Sequence, residues 1–259
     1  MAAQLCYRVV DMAEPLALLA EVLAHPTDDA PRKAYADAVR ATEPERAELI
    51  DLQLQLAHWR TTQDAPADRA ALTRRERDLI ADYGPMWGAA LRGLIDKRQF
   101  VRGFVEHIWL DADKFVASVE TLYARAPILH LDLSRTTAVS ATLFDAPFMA
   151  RIRSLSLFGN GLTDADATRI ANGGQLGQLR WLDLGNNLIG PAGLEALVAS
   201  PNLPSLRYLG FSFNKAPDPT PQTAGGPPGA TAAALVANHG ERVWLAPQQA
   251  LEWPPTRYV

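Results

Sequence analysis

The side chains in this sequence of 259 residues best suited to chemistry are its five histidines and its paired acids. His107 and His130 hold equivalent places in two successive sequence repeats. Neighbouring strands would therefore bring the two imidazoles within metal-binding distance. The sequence supplies no obvious third ligand, so a stacked pair of surface histidines without metal is expected. Asp111-Ala112-Asp113 and Asp164-Ala165-Asp166 begin like a calcium loop but lack its later ligands and closing bidentate Glu. They fit acids in the first turn of a helix, where the dipole favours negative charge. The sequence has no Gly-x-Gly-x-x-Gly, P-loop, His-Glu-x-x-His or Gly-x-Ser-x-Gly. Tyr35, Asp37 and Glu48 are the best remaining candidates for acid–base work, and an enzyme site around them, in the helical first part of the chain or at its junction with the repeats, is the alternative. The expectation is that Tyr35 and Asp37 hydrogen-bond within their own domain. No catalytic residue, metal or cofactor is expected.

The elements that place these side chains follow a repeat. Ile128-x-x-Leu131-x-Leu133-x-x-Thr136 is followed by Ile152-x-x-Leu155-x-Leu157-x-x-Asn160. Leu179-x-x-Leu182-x-Leu184-x-x-Asn187 and Leu206-x-x-Leu209-x-Phe211-x-x-Asn214 continue it, at steps of 24, 27 and 27 residues. A fainter copy, Val105-x-x-Ile108-x-Leu110-x-x-Asp113, precedes them. Each x-Leu-x-Leu-x segment is a short strand whose Leu set points inward and whose alternate residues point outward. Asn160, Asn187 and Asn214 end their strands, and their amides can satisfy backbone groups at the bend. Thr136 and Asp113 replace Asn in the early copies, which predicts less regular turns there. Helices are predicted over 111–125, from Thr163 onward, and from Pro191 onward. A shorter helix is expected near Leu143–Met149.

The pattern resembles the leucine-rich repeat of the type with a helix on its outer face. The resemblance implies an α/β solenoid, a short arc with parallel β-strands inside and helices outside. The outward positions are then a concave face. The third repeat position carries His107, His130, Ser154, Trp181 and Tyr208; the fifth carries Trp109, Asp132, Ser156 and Asp183. The seventh carries Asp111, Ser134 and Phe158. Trp244 joins them if 242–246 forms a last strand. Large aromatics on an open face are typical interface anchors. Asp111, Asp132 and Asp183 would give that face a sign suited to a basic partner. The candidate protein-binding residues are therefore Trp109, Asp111, Asp132, Phe158, Trp181, Asp183, Tyr208 and Trp244. Cover by another part of the same chain is the alternative reading for the aromatics. Between 216 and 229 lie five Pro and three Gly, a loop insertion. A helix over 230–238 and a cap built on Pro247, Trp253, Pro254 and Pro255 are expected after it.

The first hundred residues lack this period and read as helices over 14–24, 29–41, 43–60, 67–83 and 86–95, then a hairpin over 99–110. The run Glu21-Val22-Leu23-Ala24-His25-Pro26-Thr27-Asp28-Asp29-Ala30-Pro31-Arg32-Lys33-Ala34-Tyr35-Ala36-Asp37, with Arg46–Gln53 and Arg102-Gly103-Phe104-Val105-Glu106, is similar to the repeat-companion domain of myxobacterial and planctomycete proteins. In that family the domain commonly precedes leucine-rich repeats. Ala38 stands where the family usually has Trp, and Glu43-Pro44-Glu45 where it has a Gly-containing turn. The family brings no catalytic motif. The implied organisation is an all-α domain over 1–100 and repeats with insertion and cap over 101–259.

Composition sets the outer limits. With 48% apolar and 21% charged residues the chain is foldable and not a disordered tail. One cysteine excludes an internal disulfide framework and a cysteine-built zinc site. A formal charge of −4 argues against general nucleic-acid binding. Acids interrupt the first apolar stretch, so no export signal or membrane span is expected, and a cytoplasmic location is. Twenty-one Arg against four Lys fits a GC-rich bacterial source. The functional expectation is a non-enzymatic protein-binding module acting as adaptor, scaffold or immunity-type inhibitor, with a self-assembling structural module as a further alternative.

Overall fold

The computed structural model describes residues 13–62, 68–219 and 230–240. The expected strand at 242–246 with Trp244, the C-terminal cap and the insertion residues 220–229 lie outside them. The chain forms two compact units, Met1–Met86 with Arg102–Phe104, and Trp87–Val101 with Val105–Val259. The division thus falls before the hairpin, with the hairpin turn assigned to the first unit.

The first unit is helical: α1 (Ala13–Ala24), α2 (Ala30–Val39), α3 (Pro44–Thr62) and most of α4 (Arg69–Trp87). Pro31 and Pro44 sit in first turns, where the missing N–H has no helical partner to lose. Val22, Ala36, Val39, Ala47, Ile50 and Phe104 form one core cluster, with Leu19, Tyr35 and Leu54 against it. The expected helix over 86–95 is not there. Helix α4 runs on through Pro85 to Trp87, and only a short 3-10 turn, Ala89–Leu91, follows. Pro85 lies in the last turn, so the one ladder bond it removes is at the helix end, where no further turn depends on it.

The family-like residues of this unit have structural work. Gly103 (φ +84°) sits so close to Ile50 that an added Cβ would fall 2.2 Å from its Cγ1. Its N–H donates to Gln53 Oε1 at 2.6 Å. Arg102 donates to Asp29 Oδ1 at 2.8 Å and to the carbonyls of Pro26 and Thr27 at 2.8 and 3.2 Å. Both Arg102 and Gly103 have positive φ, the pattern of a type I′ hairpin turn.

The second unit holds a six-stranded, mostly parallel sheet in the order β1 (Lys97–Val101), β2 (Phe104–Asp111), β3 (His130–Ser134), β4 (Ser154–Ser156), β5 (Trp181–Asp183) and β6 (Tyr208–Gly210). This is an α/β architecture. Strands β2 to β6 are all parallel, with the Leu positions in one register: Ile108, Leu131, Leu155, Leu182 and Leu209. These five and the next inward set, Leu110, Leu133, Leu157, Leu184 and Phe211, are buried. Helices return the chain between strands: α5 (Ala112–Tyr123), the single turn α6 (Ser140–Leu143), α7 (Asp164–Asn172) and α8 (Pro191–Ala199), with α9 (Ala230–His239) last. Asp166 and Thr163 form a capping box at α7.

The asparagines lock the copies together. Asn187 accepts from the N–H groups of Asn160 and Leu162, both at 3.0 Å, and donates to the carbonyls of Leu157 and Leu184 at 3.0 and 2.9 Å. Asn160 and Asn214 make the equivalent bridges. Thr136 is buried at the same place, and a 3-10 turn replaces the regular bend there. The helix α5 starts directly after β2, with Asp113 in its first turn.

Candidate functional site

The strand register fixes which side chains share the outward face. Along one column run His107, His130, Ser154, Trp181 and Tyr208; along the next run Trp109, Asp132, Ser156, Asp183 and Gly210. Asp111 is in register with Ser134. Phe158 and Gly185 are held beside one another by the Gly159 N–H donating to the Gly185 carbonyl at 3.0 Å.

Two glycines make room for these side chains. A Cβ at Gly210 would fall 2.6 Å from Asp183 Oδ1, and one at Gly185 would fall 2.9 Å from the Phe158 ring. Asp183 Oδ1 also accepts the Gly185 N–H at 2.8 Å. The carboxylate and the phenyl ring therefore occupy the space that side chains in the next copies would fill.

The aromatics are less open than the alternation of the strands suggests. Trp181 is buried, not exposed as expected, because Tyr208 lies flat along it, with ring centroids 5.2 Å apart and planes 6° from parallel. Tyr208 itself and Trp109 are half-buried. Trp109 stacks on His107 at 3.7 Å. Phe158 is the exposed member, at 53%. Two exposed apolar residues were missing from the sequence expectation, Leu188 and Phe213. They lie beyond the strands, where the inward–outward alternation makes no statement. Phe213 did carry a signal, since it stands where other copies have Gly159 and Asn186, and all three have φ of 54–70°.

The histidine pair is also corrected. His107 and His130 are buried, not on the surface, and their rings meet edge-on at 6.0 Å. Burial pushes the His107 imidazole down to about 3, so it is neutral near pH 7. His130 Nε2 lies 3.8 Å from the buried Glu106 carboxylate. Among the described residues there is no group of three or more His, Cys, Asp or Glu side chains placed to hold a metal ion.

The three acids differ. Asp111 accepts from Ser134 Oγ at 2.6 Å, which holds its carboxyl below the usual range, with help from Arg135 and Lys114. Its charge is thus largely answered within the chain. Asp132 is half-buried, and that burial raises its carboxyl, with repulsion from Asp183 adding to the effect. Hydrogen bonds to Ser156 and Trp109 and the Lys97 charge oppose it. Asp132 and Asp183 are the two carboxylates of the middle column, both half-buried, and Asp183 also accepts the Gly185 N–H.

The residues proposed for acid–base chemistry in the helical unit are engaged otherwise. Tyr35 packs edge-on against Phe104 at 5.5 Å and hydrogen-bonds Arg46, and burial raises its hydroxyl. Asp37 pairs with Arg40 at 2.7 Å. Glu48 takes a two-pronged bond from Arg75 at 2.7 and 2.6 Å, which holds it low. A catalytic acid would need the reverse shift. No described helix is long and apolar enough to cross a membrane. No family model, curated protein or solved structure matches this chain.

Proposed function

We propose that the chain is a leucine-rich-repeat solenoid with a repeat-companion-like helical unit, and that it binds a protein without catalysing a reaction. Its role is that of an adaptor, scaffold or immunity-type inhibitor. One observation carries the reading. Asp132 and Asp183 stand in one column of a parallel sheet, with Trp109 in register with Asp132, Tyr208 on the strand next to Asp183 in the neighbouring column, and Phe158 exposed beside them. Half-buried like charges on one face are costly to keep. A cationic side chain docked between them would relieve that cost, and the aromatic rims would add contact area and cation–π attraction. A basic segment of a protein partner fits this chemistry.

The test uses Phe158→Ala/Tyr208→Ala and Asp132→Asn/Asp183→Asn, which spare the buried Trp181. The wild-type protein captures a specific partner from a lysate of its source cells, and each double variant loses it with circular dichroism unchanged. Capture that is equal in all three proteins would remove the partner from this face.

A further inference from the structure

Arg153, Arg180 and Arg207 recur at steps of 27 residues, each directly before the first residue of β4, β5 or β6. The backbone ladder ties them together. Arg180 N–H donates to the Arg153 carbonyl and Arg207 N–H to the Arg180 carbonyl, both at 2.8 Å. Consecutive arginines are thus one strand spacing apart, about 4.8 Å between backbones. Arg180 and Arg207 are exposed and Arg153 is half-buried.

Guanidinium groups do not shed their protons, so like charges on adjacent strands repel. Burial lowers the Arg153 guanidinium, and Arg180 and Arg151 lower it further. Several other arginines are matched to acids: Arg40 with Asp37 and Asp51, Arg75 with Glu48, Arg102 with Asp29, Arg169 with Asp166. Among the described residues no carboxylate forms an ion pair with Arg153, Arg180 or Arg207. Arg153 donates instead to the carbonyls of Ala150 and Arg151. A protein of net charge −4 therefore carries a local row of three cations whose charge no described acid answers.

We propose that the Arg153–Arg180–Arg207 row docks a short acidic polypeptide segment. Each guanidinium offers a planar fork that matches a carboxylate bidentately. The row spans two strand spacings, about 10 Å. Same-side residues of an extended peptide lie about 6.8 Å apart, so the row accommodates two or three Asp or Glu side chains. A nucleic-acid strand would neutralise at most three phosphates here and then run over a net-acidic chain, which disfavours it. The proposal shares no residue with the Asp132–Asp183 face and stands or falls separately from it.

Fluorescence anisotropy with fluorescein-labelled decaglutamate at low salt tests it. Wild type binds; Arg180→Gln/Arg207→Gln weakens binding about tenfold, as loss of two exposed charge pairs would. Arg74→Gln/Arg77→Gln changes net charge equally, through exposed residues of α4, and leaves binding unchanged. Arg180→Lys/Arg207→Lys keeps the charge and binds a few-fold more weakly than wild type, because the fork is lost. Matching melting curves show that all variants fold. The proposal is overturned if decaglutamate does not bind, or if the two Gln variants lose binding equally. Tighter binding of a decathymidine strand or of phosphatidylserine vesicles than of decaglutamate would overturn it too, as would loss confined to a self-associated form.

Discussion

Arg32 in the helical unit and Arg180 in the sheet unit carry the same charged group in opposite settings. Arg32 is fully buried, donates to the carbonyls of Pro26 and Arg102 at 2.7 and 3.3 Å, and lies 5.3 Å over the Phe104 ring. Arg46 approaches that ring at 4.7 Å. The helical unit thus uses two cations as interior cement around one aromatic, where carbonyl acceptors and a ring face offset some of the desolvation. The sheet unit packs Leu, Ile and Phe inside together with the buried Glu106, His107 and His130, is helped by the asparagine bridges, and keeps Arg180 and Arg207 on its surface. The guanidinium that is interior in Arg32 faces solvent in Arg180.

The sharpest way to break this comparison is to remove one arginine from each side. Arg32→Met keeps the stem's apolar contacts but takes its donor from the Arg102 carbonyl and one of two arginine donors from the Pro26 carbonyl, Arg102 being the other. The expected cost is about 1–2 kcal/mol, for the loss of two part-buried hydrogen bonds of which one acceptor keeps a second donor. It is read as lost hydrogen-exchange protection in α1 and α2 and a lowered melting temperature. Arg180→Met should leave stability unchanged. Equal effects from the two substitutions would mean that burial does not separate these roles.

What the sequence made legible follows the same divide. The 27-residue step fixed the columns of β4 to β6, because a constant repeat length forces equivalent residues into register. The parity of a strand says which way Trp181 points. It does not say that Tyr208, one strand along, will lie flat against it and close it off. Asp111 shows the same gap: its column was readable, but its bonds to Ser134 and Arg135 depend on side-chain reach. In the helical unit Tyr35, Arg102 and Gly103 were readable as a motif. Their purpose was not, because Gly103 is required by its approach to Ile50, about fifty positions away. The arginine row was fully present in the repeat. It stands one residue before the inward–outward alternation of each strand begins, so that alternation makes no statement about it.

Acid should expose a weakness in the sheet unit that the helical unit does not share. Among the described residues neither ring nitrogen of the buried His107 has a hydrogen-bond partner, so its neutral form is the one the fold accepts. Its ordinary value of about 6.5 applies in the unfolded chain. The folded value is depressed, so unfolding takes up a proton in between. Stability is whole above about pH 6.5 and falls below it by up to about 1.4 kcal/mol per pH unit, down to about pH 3. Asp132, whose folded value is raised, acts in the opposite sense and gains stability on protonation. Glu48 and Asp111, held low, lose theirs only as pH drops through the carboxylate range. The window from pH 6.5 to 5 lies above most of the carboxylate range, and the comparison with a His107 variant separates its share from that of the neighbouring buried His130. Melting curves for wild type should fall across this window, and His107→Phe, which can keep the stack on Trp109, should flatten that slope. A slope of the same size in His107→Phe would move the acid weakness to another group.

Backbone strain provides the smallest and most discriminating contrast. Arg102 (φ 48°) and Phe213 (φ 61°) both adopt the left-handed conformation that bulky residues avoid. Arg102 is held there by its bonds to Asp29, Thr27 and Pro26. Phe213 is 81% exposed, so its side chain returns little burial for the strain. Relief of about 1–2 kcal/mol from the left-handed penalty, less about 0.5–1 kcal/mol for glycine's added unfolded-state freedom, makes Phe213→Gly stabilising by roughly 0.5–1 kcal/mol. Asn186→Gly at the equivalent place should be near neutral, since asparagine tolerates this conformation. Both are read from urea unfolding midpoints. A stabilising Phe213→Gly that also weakens capture of the partner would show that the ring is retained for contact at the expense of the fold, and would extend the binding surface from Phe158 along the ends of the strands. A destabilising one would show that the exposed ring is structural after all, and would leave Phe158 as the apolar anchor.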